Sequence, residues 1–575
     1  MKYITTYVLL ALLIAPVFLT GQNVARKIKP INQKYDRLEY ADAIIYYEEY
    51  LKKGYKNEDL LQRLGNSYYF TADLLNAERI YTQLFNMNPE QEPDYLYRYA
   101  QSLRAAEKYD EANQIIEELG EDKVKDIIVQ EYREDKDYVK DILRIENTYK
   151  IKDAGFNSSL SDFAATFMND HIVFSSNRAE GIANVKIHKW NNQPFLDLYM
   201  TKLNESGVPT EIKALGNKVN TKFHESTSAF SKDGKYMYFT RNNYFGDEYK
   251  KSENGVNLLK LFRATNNNGK WVDIKELSFN SNEYSVAHPA LSPDGKRLYF
   301  ASDMPGTIGQ SDIYYVTIND DGSYGDPQNL GAGINTEGKE SFPFISNDGT
   351  IYFSSTGHPG IGGFDIFYTE TLADDYTEPR NVGRPVNSNL DDFAFVVNDS
   401  LNIGFFSSNR EGGAGDDDIY SFERTQKLVK EEIAQVDSTA QDTAKVTYRS
   451  GDKLSNYFDF EEDEDKIFFE YDKSRIRTQA KPKLNKILAI LKENPEIELR
   501  IVSHTDIRGT NQYNEALSER RAKSTKDYLV ENGIDAGRLG IDWKGETQPA
   551  IRCAITIGCS EKEHLMNRRS EFYIR

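Results

Sequence analysis

Two sets of residues in the 575-residue chain carry side chains suited to chemistry. The first is His288 with Asp294, Asp320, Asp321 and the run Asp416–Asp418, types that serve metal binding or general acid–base work. Nearly all of them stand where hairpin turns need an Asp for local hydrogen bonds, and turn chemistry is the reading adopted, with a calcium ion at one Asp-rich turn left open. The chain contains no H-E-x-x-H pair and no G-x-S-x-G elbow. No catalytic residue, metal or cofactor is therefore expected. The second set lies near the C-terminus: Thr505 and Asp506 in SHTDIRG, Asn514 and Arg521 in YNEALSERRA, and Arg568 and Arg569 in NRRSEF. On residue type alone, Asp506 could cap the following helix, Arg521 could be a solvated helix arginine, and Arg568 and Arg569 could form an ion-pair network. Cys553 and Cys559, in RCAITIGCS, either bridge a short loop or stay as thiols. The loop offers no His or carboxylate partner for a metal, and the disulfide is expected.

The elements that position these residues fall in segments of different period. Acidic residues outnumber basic ones, 90 to 71, and a net charge of −19 excludes nucleic acid as an expected partner. Lys2 followed by the apolar run Tyr7–Leu19 and Gly21 reads as a signal peptide over 1–21, with Gln22 as the new terminus. No Cys follows that run for lipid attachment, so an exported chain in an oxidising compartment is expected.

Over 22–145 the pattern is helical, and Ala43, Ala77 and Ala112 recur at separations of 34 and 35 in ADAIIYYEEYL, NAERIYTQLF and DEANQIIEEL. This resembles tetratricopeptide repeats, stacked helix pairs that present a concave binding surface. Over 146–425 the period becomes two. Five units alternate a strand, an Asn/Asp turn and an aromatic strand, as in STSAFSKDGKYMYFTRN and HPALSPDGKRLYFASD, with Phe174, Phe239, Phe300, Phe353 and Phe406 at one equivalent position. Three units add DIYYV, DIFYT or DIYSF. The pattern resembles the TolB-type β-propeller, with a sixth blade assembled near Ile142–Ile151. Residues 426–457 lack periodicity and read as a linker.

From Ile467 the order is strand, helix, strand, helix, strand, strand. Leu484, Ile487, Leu488 and Leu491 form one apolar helix face, and Gly533 ends the second helix. HTDIRG, YNEALSERRA, GIDAGRL and NRRSEF, in this order over 458–575, resemble the peptidoglycan-binding C-terminal domain of the OmpA family. The resemblance implies that Asp506 takes the ammonium, and Arg521 the carboxylate, of diaminopimelate in the peptide stem. Asn514 and Thr505 would shape the pocket, with the loop around Cys553–Cys559 a departure at its rim. A zwitterion needs an anion and a cation at fixed separation, as a loop and a helix face provide.

The fold class expected is thus multidomain: all-α helical repeats, an all-β propeller, then an α/β OmpA-like domain. The order resembles envelope proteins of Bacteroidetes, some associated with secretion or gliding machinery. It implies a non-catalytic adaptor in the periplasm, at the cell wall and outer membrane, that binds peptidoglycan and envelope proteins. A propeller-based enzyme or ligand sensor is the alternative.

Overall fold

Ala43, Ala77 and Ala112, the alanines of the helical repeat, are fully buried. The computed structural model describes residues 28–118, 138–145, 148–178, 185–204, 208–371, 376, 377, 379–425, 448–458, 460, 466–469, 473, 474, 476, 477, 480–508, 511–550 and 561–575. The expected signal peptide, Cys553 and Cys559, and residues 426–447 of the expected linker lie outside the described residues. The chain divides into two compact units, Met1–Glu432 and Ile433–Arg575.

In the first unit a helical stretch over 28–36 precedes helices α1 (Tyr40–Lys52), α2 (Glu58–Phe70), α3 (Leu74–Met87), α4 (Pro93–Ala105) and α5 (Tyr109–Glu118), of which each packs on the next. Asn57 and Asp73 cap α2 and α3 by accepting the N–H groups of Leu60 and Asn76, and Pro93 takes the first turn of α4, where no N–H is needed. The small alanines let neighbouring helices approach, and Gly65 goes further. A Cβ there would stand 2.6 Å from the Tyr81 ring, whose hydroxyl donates to Asn66 Oδ1 at 2.8 Å. Helix propensity alone makes Gly→Ala stabilising by about 1 kcal/mol. Here the overlap reverses the sign: Gly65→Ala should lower stability by about 1–3 kcal/mol, read as a fall in thermal midpoint. A rise would contradict the packing.

Five four-stranded antiparallel sheets follow, with strands in sequence order across each of the first four. Their first strands are Asp162–Met168, Glu225–Phe230, Val286–Leu291, Glu340–Ile345 and Asp392–Asn398. These contact one another in succession, and the first strand of the fifth sheet contacts that of the first. The fifth sheet takes its fourth strand from Tyr149–Asp153, paired antiparallel with Asp418–Arg424. This corrects the expectation of a sixth blade near Ile142–Ile151. After helix α6 (Tyr138–Arg144) that stretch completes the fifth sheet, because Tyr149 is buried against Phe395 and Phe422.

Each first strand carries a bulge with one residue at positive φ: Ala164, Thr227, His288, Phe342 and Ala394. The bulge frees an N–H, and in three sheets a hydroxyl on the preceding sheet accepts it. Ala164 N donates to Ser407 Oγ at 2.9 Å, Thr227 N to Ser175 Oγ at 3.0 Å and His288 N to Thr240 Oγ1 at 2.9 Å. Ser407, Ser175 and Thr240, each directly after a repeated phenylalanine, thus stitch sheet to sheet. The five repeated phenylalanines are buried, and in three sheets an arginine lies over that ring and pairs with a carboxylate: Arg178–Asp162, Arg241–Glu225 and Arg410–Asp392, at 2.5–2.9 Å.

Helices and sheets of this unit touch at loops between the strands. Tyr97 Oη and Gln101 Nε2 donate to the Thr356 carbonyl at 3.0 and 3.1 Å, Tyr109 Oη donates to Ile361 O at 3.2 Å, and Asn389 Nδ2 donates to Ala105 O at 2.6 Å. Part of the helical surface is therefore occupied by the chain's own loops.

The second unit is a four-stranded sheet in the order Lys466–Phe468, Arg569–Ile574, Leu499–Ser503, Leu539–Trp543. The third and fourth of these run parallel, and the other neighbours are antiparallel. Leu484, Ile487, Leu488 and Leu491 of helix α7 (Ala480–Glu493) are all in the core, as the spacing predicts. Helix α8 (Asn511–Glu531) ends at Gly533, which has φ +97°. One element departs from the sequence reading. The seven-residue helix α9 (Glu561–Asn567) separates the last two strands, so the order is strand, helix, strand, helix, strand, helix, strand.

Candidate functional site

Strand Leu499–Ser503 delivers His504, Thr505 and Asp506 to the start of the loop before α8. Backbone bonds fix this exit: His504 N donates to Arg569 O and Thr505 N to Gly545 O, both at 2.8 Å. Gly545 N donates in turn to Ser518 Oγ at 2.9 Å, tying the loop to α8.

Asp506 is buried, its side chain 3 % exposed, and three basic side chains converge on Oδ2. Arg508 Nη2 lies at 2.6 Å, Arg568 Nη1 at 2.9 Å and His564 Nδ1 at 3.8 Å. Oδ1 accepts the Arg508 N–H at 3.0 Å, so Asp506 caps a local turn within its own loop. Burial acts to raise its pKa, but the hydrogen bonds from Arg508 and Arg568 outweigh burial and hold the carboxyl below the usual range.

Arg521 and Arg520 part company on α8: Arg520 is exposed and Arg521 is fully buried. Arg521 Nη1 donates to His504 O at 2.9 Å and Nε to Lys473 O at 2.8 Å, while the guanidinium lies 5.1 Å from the Phe469 ring. Asp506 and Arg521 thus meet on one loop, one at its carboxylate and the other through the carbonyl two residues earlier. Asn514 is buried, with Nδ2 donating to Asp506 O at 3.3 Å and to Glu546. Thr505 is buried with no hydrogen-bond partner for Oγ1 among the described residues. Behind the loop, Glu571 meets Lys453 at 2.9 Å, Arg569 at 3.0 Å and His504 at 3.3 Å. Burial opposes its ionisation, and these neighbours drive its pKa well below the carboxylate range.

Sequence reasoning missed Arg508 and His564 and gave Arg568 no place at Asp506. The signal was present in HLMNRR. His564 and Arg568 are four residues apart at the end of α9, a spacing that puts two side chains on one face.

The sheet unit holds a cavity of about 760 Å³, lined by the five bulged residues and by the Asn/Asp–Gly hairpins. It brings together His288, Asp294, Asp320 and Asp321, while Asp416–Asp418 lie elsewhere. Asp294 accepts from Ser292 Oγ at 2.6 Å and Lys296 N at 3.0 Å, and Asp321 accepts from Ser323 N at 2.9 Å, each inside its own turn. Burial pushes the His288 imidazole down to about 3, leaving it neutral. Among the described residues no group of three His, Cys, Asp or Glu side chains is arranged to hold a metal, and no helix is long and apolar enough to cross a membrane.

Comparison with known proteins bears on the second unit. The OmpA family model matches residues 468–558. The peptidoglycan-associated lipoprotein of Legionella pneumophila is 31% identical over 141 residues, covering 24% of this chain and 77% of that protein. The chain belongs to the OmpA family. Its membership rests on the C-terminal unit, which carries Asp506 and Arg521. The protein of the same name from Brucella melitensis biotype 1 is 38% identical over 89 residues, 16% of this chain and 53% of that one. The chain thus spans about half the length of such Brucella relatives. A solved structure of TolB from Acinetobacter baumannii is similar over 45% of this chain and 52% of that one, at 16% identity and a TM-score of 0.25.

Proposed function

We propose that this OmpA-family chain is a non-catalytic tether of the bacterial cell envelope, which binds peptidoglycan through the diaminopimelate of the peptide stem. The observation that carries the reading is Asp506, a recessed carboxylate kept ionised at a loop whose backbone Arg521 also holds, through the His504 carbonyl. Asp506 receives the ammonium, Arg521 the carboxylate, and Thr505 and Asn514 shape the walls between them. The kinship with peptidoglycan-associated lipoproteins supports peptidoglycan as the ligand.

The first unit is the partner-holding end. We read its five sheets as a five-bladed propeller closed by Tyr149–Asp153, and its helices as tetratricopeptide-like repeats. Both would hold envelope proteins in the periplasm, in a secretion or gliding apparatus. Because α4 and α5 already rest on the loops at Thr356 and Ile361, the cavity among the opposite hairpins is the surface we assign to a partner. Co-sedimentation with isolated sacculi, followed by crosslinking in whole envelopes, tests both ends. The tether requires wall binding and at least one envelope protein crosslinked through residues 22–425. Failure to sediment with sacculi refutes the first half, and crosslinks confined to the C-terminal unit refute the second.

A further inference from the structure

Asp506 Oδ2 accepts from Arg508 Nη2 and Nε and from Arg568 Nη1, and His564 Nδ1 stands beside it. Arg568, whose side chain is 5 % exposed, is a buried donor, whereas Arg508 at 32 % exposure stands towards solvent. The third neighbour, His564, differs from both. Its Nδ1 is buried and has no hydrogen-bond partner among the described residues, and 3.8 Å is too far for a bond to Asp506. A neutral imidazole offers one acceptor nitrogen and an ammonium offers three donors. A nitrogen about 2.8–2.9 Å from both Asp506 Oδ2 and His564 Nδ1 fits between two acceptors 3.8 Å apart.

We infer that His564 is a second acceptor for the ligand's ammonium group: the ammonium replaces Arg508 on Asp506 and donates a further hydrogen bond to His564 Nδ1. The inference rests on the proposed peptidoglycan reading and adds a determinant to the same site. His564 comes from α9, outside the residues matched by the family model. It makes the site selective for a cation that can donate in two directions, which is what separates an ammonium from a mere positive charge. Leaving a buried polar nitrogen without a partner is unfavourable, so a donor hydrogen bond to His564 Nδ1 is favoured.

The experiment titrates full-length protein with two synthetic disaccharide tripeptides. One carries meso-diaminopimelate. The other carries 2-aminopimelate, which lacks only the distal amino group. Wild type should bind the first at least tenfold more tightly than the second. His564→Leu should weaken the first by about tenfold and leave the second unchanged, and His564→Asn, which restores an acceptor, should recover part of the loss. An equal loss for both peptides would make His564 a structural residue and overturn the inference, as would no loss for either. If wild type binds neither peptide, the peptidoglycan reading itself falls, and the inference with it.

Discussion

Asp506→Asn should weaken binding of a diaminopimelate stem peptide by at least tenfold while the C-terminal unit stays folded. Hydrogen bonds to charged groups contribute about 1.5–3 kcal/mol, and about 1.4 kcal/mol is a factor of ten, so the expected loss is about 10- to 150-fold. The asparagine keeps the shape and one acceptor oxygen but removes the charge. Asp506→Ala should do more damage, because it leaves Arg568 buried without its carboxylate. Breaking a buried pair by removing one partner costs about 3–5 kcal/mol, so that variant should also melt well below wild type. Titration calorimetry on the Asn variant, with circular dichroism for the fold, separates the two effects. An Asn variant that binds as wild type does would remove Asp506 from the site.

The second large effect concerns pH, and the two units should respond in opposite ways. In the first unit, Asp365 and Glu340 are buried and meet hydroxyl, amide and backbone N–H donors in place of a cation. Burial pushes Asp365 up to about 8 and Glu340 up to about 7. A carboxyl raised in the folded state binds its proton more tightly there than in the unfolded chain. Stability therefore falls as pH rises from about 4 towards the folded values. The buried His358, pushed down to about 4, works in the opposite sense between about 4 and 6.5. Above pH 6.5 only carboxyls remain, and Asp365 and Glu340 together should cost the first unit about 3 kcal/mol between pH 6.5 and 8.5. In the second unit, Asp506 and Glu571 are lowered, so their contribution is present above pH 4 and is lost on further acidification. Hydrogen exchange resolved by segment, corrected for intrinsic rates, checks both trends. Asp365→Asn with Glu340→Gln should make the first shallower, with the buried Glu225 and Asp417, raised to about 8 and about 7, carrying the remainder. Stability of the sheets that rises between pH 6.5 and 8.5 would contradict it.

How much of this was legible depended on whether the signal was local. The period-two units, their Asp–Gly turns and the recurrent phenylalanines could be read because each hairpin lies within one stretch of sequence. The pairing of Tyr149–Asp153 with Asp418–Arg424 could not, because the partner strands lie some 270 residues apart and nothing in YKIKD names its neighbour. Likewise nothing in SSNR or TRN singles out its arginine, yet Arg178, Arg241 and Arg410 lie on the repeated phenylalanines and pair with acids 16 to 18 residues away. Helix α9 was missed because seven residues carry too little periodicity to stand out. At the site, Asp506 and Arg521 were found through motif resemblance. Their immediate neighbours Arg568 and His564 arrive from about 60 residues on, through a helix the pattern did not announce.

Titration of the full chain with two disaccharide tripeptides, one carrying meso-diaminopimelate and one lysine, is the most direct measurement. Lysine keeps the side-chain ammonium that Asp506 would hold and lacks the distal carboxylate assigned to Arg521. A zwitterion-reading tether should bind the diaminopimelate peptide at least tenfold more tightly, with the preference abolished in Arg521→Gln. Equal affinity for the two peptides, or no binding of either, would contradict a site built to hold both charges of diaminopimelate.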